Sequence, residues 1–367
     1  MNREGLFESV PNFSEGQRAD VIAEIASAAS TSHVLDVDPD PDHHRVVISM
    51  VALRGGLLDG VLAAVGAAVK RIDVRTHTGV HPRIGAADVV PFVPLGESSL
   101  DGARQLAHEA GERIWAELKV PVYFYGYGEN RSLADIRAGR AKPDLGGPDL
   151  HPTAGAACVG ARLSLVAFNV LLPGMDIATA RALARSLRES RSGMRGVQAL
   201  VFELPGGRAQ LSMNLFRVDE TPPAAVVAEL VRRGVMVGKQ QLVGLCPAIA
   251  ANEVATGRLL EGRLSAAAAR TGALRCREKG DAERIALAVR LEGEADALEG
   301  LGGSQEELLA GGERAAALVP VLRVAQVLDA ELDAMLGAAA RGLRAAISPS
   351  TQAAYPARIT ALDRRLR

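Results

Sequence analysis

The chain has 367 residues and a formal net charge of −1, from 42 basic and 43 acidic side chains. This balance, without a block of Lys and Arg interleaved with aromatic residues, argues against a nucleic-acid partner. No run of about 18 apolar residues occurs, and the N-terminus has no basic segment followed by an apolar core. The sequence therefore predicts a cytoplasmic protein that makes no membrane contact.

The interior must be built mainly from small aliphatic side chains. Hydrophobic residues make up 48% of the chain and aromatic residues only 3%, which is enough apolar material for two or three packed modules. The three cysteines, Cys158, Cys246 and Cys276, are far apart and none belongs to a CxxC pair. This spacing favours buried thiols in a reducing compartment over a disulfide framework or a zinc site.

The first 130 residues alternate between β-branched apolar runs and amphipathic stretches, which predicts strands alternating with helices. Strands are predicted over residues 6–13, 34–37, 46–53, 88–94 and 120–127. Helices are predicted over residues 18–30, 56–71 and 98–118, with Ser14 as the N-cap of the first.

An acidic run, Asp38, Asp40 and Asp42, follows the second predicted strand. It lacks the central glycine and the final glutamate of a calcium-binding EF-hand loop. We therefore predict a solvated turn that lends one or two carboxylates to a site.

Residues 128–161 are dense in Gly and Pro and show no strand or helix pattern. Loops of this length in compact domains are usually functional or disordered. His151 and its flanking glycines, which let a backbone approach a ligand closely, favour a ligand-binding loop.

The second half of the chain predicts another α/β module and then helices. The elements are strand 163–172, helix 176–190 and paired strands 197–203 and 209–218, followed by a helix over 222–233 capped by Thr221 and strand 241–245. This order, βαββαβ, is that of a ferredoxin-like unit, and the first module reads in the same order with insertions. Segments 306–309 and 313–347, broken by Pro320, predict amphipathic helices for packing or oligomer contact.

The predicted fold class is therefore α+β. It consists of two ferredoxin-like subdomains side by side, residues 1–163 and 164–300, with a short C-terminal helical extension over residues 301–367.

Residues 73–95 place polar side chains directly before a predicted buried strand. His77 and His81 stand four apart, a spacing that would suggest a metal-binding pair on a helix. Gly79 and the proline after His81 favour an irregular loop instead, so a metal site is disfavoured. His81, flanked by Arg83 on a glycine-containing loop, is suited to moving protons near neutral pH.

Several stretches together resemble the glutamate formimidoyltransferase family, in that family's order. They are VPNFSEG (10–16), VLDVDPDPDHHRVVI (34–48), DVRTHTGVHPRIGAADVVPFVPL (73–95), VPVYFYGYG (120–128), GARLSLVAFNVLL (160–172), SMNL (212–215) and QQLVGLCP (240–247). The resemblance implies two ferredoxin-like subdomains with a folate groove between them, usually in a homodimer. It also implies transfer of a formimino group from N-formimino-L-glutamate to N5 of tetrahydrofolate, releasing L-glutamate, in histidine degradation.

The resemblance assigns roles to individual positions. His81 matches the family's catalytic histidine. One histidine near its ordinary pKa of about 6.5 can take the proton from N5 and then give one to the departing nitrogen. The family's folate-binding loop falls on Gly146, Gly147, Pro148, Asp149, Leu150, His151, Pro152, Thr153, Ala154 and Gly155.

The charges of the substrates suggest further binding residues. The cationic amidine needs a carboxylate, for which Asp36 or Asp38 is the candidate. The carboxylates of both substrates need guanidinium partners, for which Arg45, Arg75 and Arg83 are available, although each could equally form a surface ion pair. His77 is expected to orient its loop. Tetrahydrofolate is expected as the co-substrate, and no metal.

Two departures from the family pattern leave alternatives open. Thr78 and Val80 stand where the family commonly has Lys and Glu, and GRAKPDLGG is shorter than the corresponding family segment. The alternatives are a one-carbon transferase for a different formimino or formyl donor, and a non-catalytic folate-binding protein. Because the C-terminal helices are short compared with the cyclodeaminase domain that some members carry, we do not expect a bifunctional enzyme.

Overall fold

The computed structural model describes residues 5–79, 82–129 and 131–367. The chain divides into two compact units. The first comprises Met1–Ser164 with Phe202–Gly207, and the second comprises Leu165–Val201 with Arg208–Arg367.

The first unit alternates strands and helices. In chain order they are β1 (Leu6–Ser9), β2 (Asn12–Phe13), α1 (Ala19–Ala28), β3 (His33–Asp40), β4 (Arg45–Leu53), α2 (Arg54–Arg71), β5 (Ala87–Pro94), α3 (Leu100–Leu118), β6 (Val122–Gly126), α4 (Leu133–Arg137) and β7 (Ala157–Ala161).

The sheet of the first unit has the order β3, β4, β1 with β2, β5, β7, β6. β1 and β2 together occupy one position, between β4 and β5. The strands from β3 to β5 are antiparallel to their neighbours, whereas β7 runs parallel to both β5 and β6. The antiparallel part has the 4-1-3-2 strand order of a ferredoxin-like βαββαβ unit, so the α+β prediction is confirmed for this unit.

One face of this sheet carries the core. Val46, Ile48 and Met50 of β4 are fully buried on it, because alternate side chains of a strand point to the same face. They belong to one cluster with the apolar stripes of α1, α2 and α3. Asp36 and Asp38 of β3 pair instead with the intervening β4 residues, so these carboxylates lie on the opposite face.

The start of α1 corrects the prediction for Ser14. The helix begins after Arg18, and the Ser14 hydroxyl donates to the Gly85 carbonyl at 2.8 Å instead of capping the helix. The Glu15 carboxylate accepts the N–H groups of Gln17 and Arg18, each at 2.9 Å. The Glu15 carboxylate thus binds the N–H groups of the N-cap residue and of the residue before it, next to the positive end of the helix dipole.

Two elements lie in the segment that the sequence left irregular. α4 begins with a capping box formed by Ser132 and Asp135. β7, with the sequence ACVGA, is fully buried between β5 and β6. Small residues have low β-propensity, and here pairing with two neighbouring strands overrides it.

The second sheet is built from a single βαββαβ series. Its elements are β8 (Val166–Leu171), α5 (Ile177–Leu187), β9 (Val197–Leu204), β10 (Arg208–Leu215), α6 (Pro223–Arg232) and β11 (Gln240–Val243). The strand order is β11, β8, β10, β9, which is again 4-1-3-2 and agrees with the predicted ferredoxin-like order. Pro222 holds the N-cap position of α6, so the predicted cap at Thr221 is wrong.

A helical region follows the second sheet. It comprises α7 (Leu260–Lys279), α8 (Ala282–Glu299), α9 (Gln305–Val324), α10 (Ala330–Ala345), α11 (Pro349–Ala354) and α12 (Pro356–Arg365). The C-terminal helical region therefore begins at Leu260, well before the predicted start at residue 301. Pro320 lies inside α9 and does not break it, contrary to the prediction. Within the described ranges, no helix is both long and apolar enough to cross a membrane.

Candidate functional site

Two loops of the first unit contain most of the residues that the sequence singled out. The histidine loop, residues 73–86, connects α2 to β5, and the glycine-rich loop, residues 146–155, precedes β7. His81 and Val80 lie outside the described residues, and so do the candidate metal pair and the predicted catalytic imidazole, both of which include His81.

Backbone hydrogen bonds join the two loops. The Val74 N–H donates to the Thr153 carbonyl, and the Ala86 N–H donates to the Ala154 carbonyl, both at 2.8 Å. Segments some 70 residues apart in the chain are thus held against each other. A ligand bound on the glycine-rich loop would lie next to the histidine loop.

The glycine-rich loop is closed by its own histidine. The backbone groups of His151 and Gly155 exchange hydrogen bonds at 2.8 and 3.0 Å. The His151 Nδ1 accepts the N–H groups of Thr153 and Ala154 at 3.3 and 3.0 Å. Asp149 and Leu150, at the loop tip, are exposed. The imidazole therefore holds the loop shape, and the tip is open to a ligand.

His77 is held by the turn between β3 and β4. Its Nε2 donates to the His44 carbonyl at 3.0 Å, the Arg83 guanidinium contacts the ring, and the rings of His44 and His77 have centroids 4.0 Å apart. Burial, and then the charge of Arg83, lower the pKa of His77 to about 4. His77 is therefore neutral at physiological pH, which suits a residue that orients its loop.

Glu15 and His44 connect the start of α1 to the same loop. The His44 ring contacts a Glu15 carboxylate oxygen through Nε2 at 3.3 Å and donates from Nδ1 to the Thr78 carbonyl at 2.7 Å. Burial alone would raise the pKa of Glu15, but the N–H groups of Arg18 and Gln17 and the Arg18 guanidinium hold it at about 2. The Glu15 carboxylate thus keeps its negative charge next to the His44 ring.

The candidate arginines fall into two settings. Arg75 forms an exposed ion pair with Asp73, with a shortest N–O distance of 2.6 Å. Arg45 and Arg83 are partly buried, and both feel the charge of Asp88. The surface ion pair that the sequence left open is thus the observed state for Arg75.

Comparisons of the sequence with known proteins show which family this chain resembles. Residues 6–162 match the profile of the formiminotransferase domain, N-terminal subdomain. The chain is 37% identical over 276 residues to a glutamate formimidoyltransferase of Thermoplasma acidophilum, covering 68% of this chain and 91% of that protein. The chain belongs to the glutamate formimidoyltransferase family. The resemblance seen in the sequence is thereby confirmed.

Other relatives in the formimidoyltransferase family show the same extent of similarity. A glutamate formimidoyltransferase of Streptococcus pyogenes is 35% identical over 278 residues, which is 68% of this chain and 92% of that protein. A formimidoyltransferase-cyclodeaminase of Rattus norvegicus is 36% identical over 272 residues, which is 66% of this chain but only 50% of that protein.

Sequence reasoning missed four residues of this candidate site. Glu15, His44, Asp88 and Arg137 are each bonded to, or electrostatically coupled with, a predicted site residue or its loop. Glu15, His44 and Asp88 lie in stretches that carried the family resemblance. Their partners are distant in the chain, so spacing gave no signal of these contacts.

Gly155 provides a direct test of the contact between the loops. Its φ is +68°, and an added Cβ would stand 2.2 Å from the Ile84 carbonyl oxygen. Gly139 has the same φ of +68°, but no described atom lies within 4 Å of its Cβ position. We expect Gly155→Ala to lower the free energy of unfolding by about 2 kcal/mol more than Gly139→Ala, because both pay for the left-handed backbone but only Gly155→Ala also clashes.

Urea unfolding of the two variants measures this difference. We also expect Gly155→Ala, and not Gly139→Ala, to raise the KM for tetrahydrofolate. Equal losses of stability in the two variants would show that the loops do not meet as described.

Proposed function

We propose that this protein is a glutamate formimidoyltransferase that transfers the formimino group of N-formimino-L-glutamate to N5 of tetrahydrofolate. The products are 5-formimidoyltetrahydrofolate and L-glutamate, as in histidine degradation. The observation that carries this proposal is the 37% identity to the Thermoplasma acidophilum glutamate formimidoyltransferase across 91% of its length.

In the proposed reaction His81 is the general acid and base. N5 of the folate attacks the amidine carbon and loses a proton to the imidazole. The tetrahedral carbon then releases the glutamate nitrogen, which receives a proton from the imidazolium. A bond from carbon to N5 forms, a bond from carbon to the glutamate nitrogen breaks, and His81 ends in its starting state. No covalent intermediate with the protein is needed, because the acceptor is itself the nucleophile.

We assign described residues to each of the binding tasks in this reaction. We assign the folate to the glycine-rich loop, whose exposed tip and backbone bonds to the histidine loop support the assignment. Asp36 or Asp38, on the face opposite the core, is assigned to the amidinium. Arg45 and Arg83 are assigned to substrate carboxylates. Arg75 is the weakest candidate, because Asp73 already neutralises it.

The family resemblance also leads us to propose a homodimer in the cytoplasm. Analytical ultracentrifugation of the purified chain measures the oligomeric state. Fractionation of the cells that express the protein measures its location.

The decisive experiment mixes the purified protein with N-formimino-L-glutamate and tetrahydrofolate and follows 5-formimidoyltetrahydrofolate by absorbance and mass spectrometry. We expect turnover that needs both substrates. Tetrahydrofolate binding without product from this donor would contradict the proposal. Turnover with another formimino or formyl donor alone would instead support the alternative that Thr78 and Val80 suggest.

A further inference from the structure

Three arginines of the first unit surround one buried carboxylate. The arginine cluster is Arg45 at the start of β4, Arg83 in the histidine loop and Arg137 at the end of α4. The Asp88 side chain, 7% exposed, accepts from Arg137 Nη2 at 2.5 Å and from the Ile84 N–H at 2.6 Å. Its negative charge also acts on Arg45 and Arg83.

This arrangement leaves donors of two arginines unused. The Nε atoms of Arg45 and Arg137 are buried and have no hydrogen-bond partner among the described residues. A buried donor without a partner costs free energy, so each such group in a folded protein calls for an explanation. Two of them on neighbouring guanidinium groups indicate a missing acceptor.

The electrostatics of the cluster also favour an added acceptor with a negative charge. Burial lowers the pKa of the Arg45 guanidinium, although Asp40, Asp88 and Asp38 oppose the change. Burial and repulsion from Arg137 likewise lower the pKa of Arg83, while Asp88 opposes. Asp40 is already engaged by His43, whose N–H and Nδ1 lie 2.9 and 2.7 Å from its oxygens. An anionic group beside Arg45 would act in the same direction as these aspartates and favour the charged guanidinium.

We propose that Arg45 and Arg137 form a binding site for a carboxylate group of a substrate. Guanidinium groups present their donors in a planar fork that matches the two oxygens of a carboxylate, and a bound carboxylate would fill the vacant Nε donors. This site rests on the proposed function and specifies one part of it. Arg137, instead of Arg75, becomes a guanidinium partner of a substrate carboxylate.

Two substrates of the proposed reaction carry such a group. The donor has two carboxylates on its glutamate part, and tetrahydrofolate has a glutamyl tail. Both present the same chemistry to the cluster, so separate measurements for each substrate are needed to show which one it holds.

The test compares Arg45→Gln and Arg137→Gln with the control Arg131→Gln. Arg131 lies six residues from Arg137 and pairs with Asp144 at 2.6 Å, outside the arginine cluster. We expect both cluster variants to raise the KM for one substrate about 10- to 100-fold, with kcat within about threefold and the control unchanged. The substrate whose KM rises is the one that the cluster binds.

Two further measurements separate binding from folding and from catalysis. Arg137→Lys keeps the charge without the planar fork, so it should recover part of the affinity if the fold is intact. Calorimetric titration with glutarate, a dicarboxylate without an amidine, should show binding to the wild type that both Gln variants lose.

The proposed carboxylate site would be contradicted if both Gln variants kept the KM values for both substrates and also kept glutarate binding. If the wild type makes no 5-formimidoyltetrahydrofolate but binds glutarate through Arg45 and Arg137, the site stands and the proposed reaction fails. If the wild type binds no glutarate and the KM values do not move, the site fails while the proposed reaction is judged by its own assay.

Discussion

The His81→Ala variant should lose kcat by about 10²- to 10⁴-fold while keeping its fold, because removal of a general acid and base typically costs a reaction that much. KM values should change little, since we assign the carboxylate and folate contacts to other residues. The measurement is steady-state formation of 5-formimidoyltetrahydrofolate, with circular dichroism to confirm the fold.

A histidine outside the site serves as the control. His33, at the start of β3, should tolerate substitution by Ala with kcat within about threefold. Added imidazole should restore part of the rate in His81→Ala, because a small base can enter the vacated space and move the proton. A His81→Ala enzyme with undiminished kcat would refute the assigned role.

The Glu15→Gln variant should lose on the order of 2–3 kcal/mol in free energy of unfolding at pH 7. The Glu15 carboxylate accepts N–H groups of Gln17 and Arg18, and its pKa is about 2 in the folded chain against an ordinary value of 4.5. Because the folded pKa is the lower one, the stabilisation is present above about pH 4.5 and is lost as the pH falls towards 2.

The stability difference between wild type and Glu15→Gln should therefore shrink steadily between pH 5 and pH 3. Urea unfolding at pH 7, 5 and 3 measures it. Glu24→Gln is the matched control, because Glu24 lies in α1, the helix that Glu15 precedes, but pairs with Arg71 on the surface, and the loss of stability in this variant should stay below about 0.5 kcal/mol. A difference between wild type and Glu15→Gln that does not depend on pH would contradict the charge-based account.

Patterns local in the sequence predicted most of the scaffold. The apolar run of β4 and the βαββαβ order of the second module need only neighbouring residues to be read, and both are confirmed. β7 was missed because its small residues carry no strand pattern and it is stabilised by β5 and β6, which come from elsewhere in the chain. Ser14 was misassigned because its actual partner, the Gly85 carbonyl, lies 71 residues away.

The same contrast between local patterns and long-range contacts applies to the candidate site. The histidine loop and the glycine-rich loop could each be singled out from composition, because Gly, Pro and His are informative residue types. Their contact through Thr153 and Ala154 could not be predicted, since backbone bonds leave no mark on side-chain spacing. The ion pair between Asp88 and Arg137 could not be predicted either, because the sequence does not show which aspartate pairs with which arginine.

The two units repeat one strand order, yet they differ in one residue type. All seven histidines, from His33 to His151, precede the second unit in the chain. In the first unit the loops that follow β2 and α2 carry Glu15 and His77. The corresponding loops of the second unit, after β8 and α6, line an open depression of about 680 Å³ that includes Asp176 and Arg233. Any chemistry that needs an imidazole of this chain must therefore come from the first unit, whereas the depression of the second unit offers the carboxylate of Asp176 and the guanidinium of Arg233.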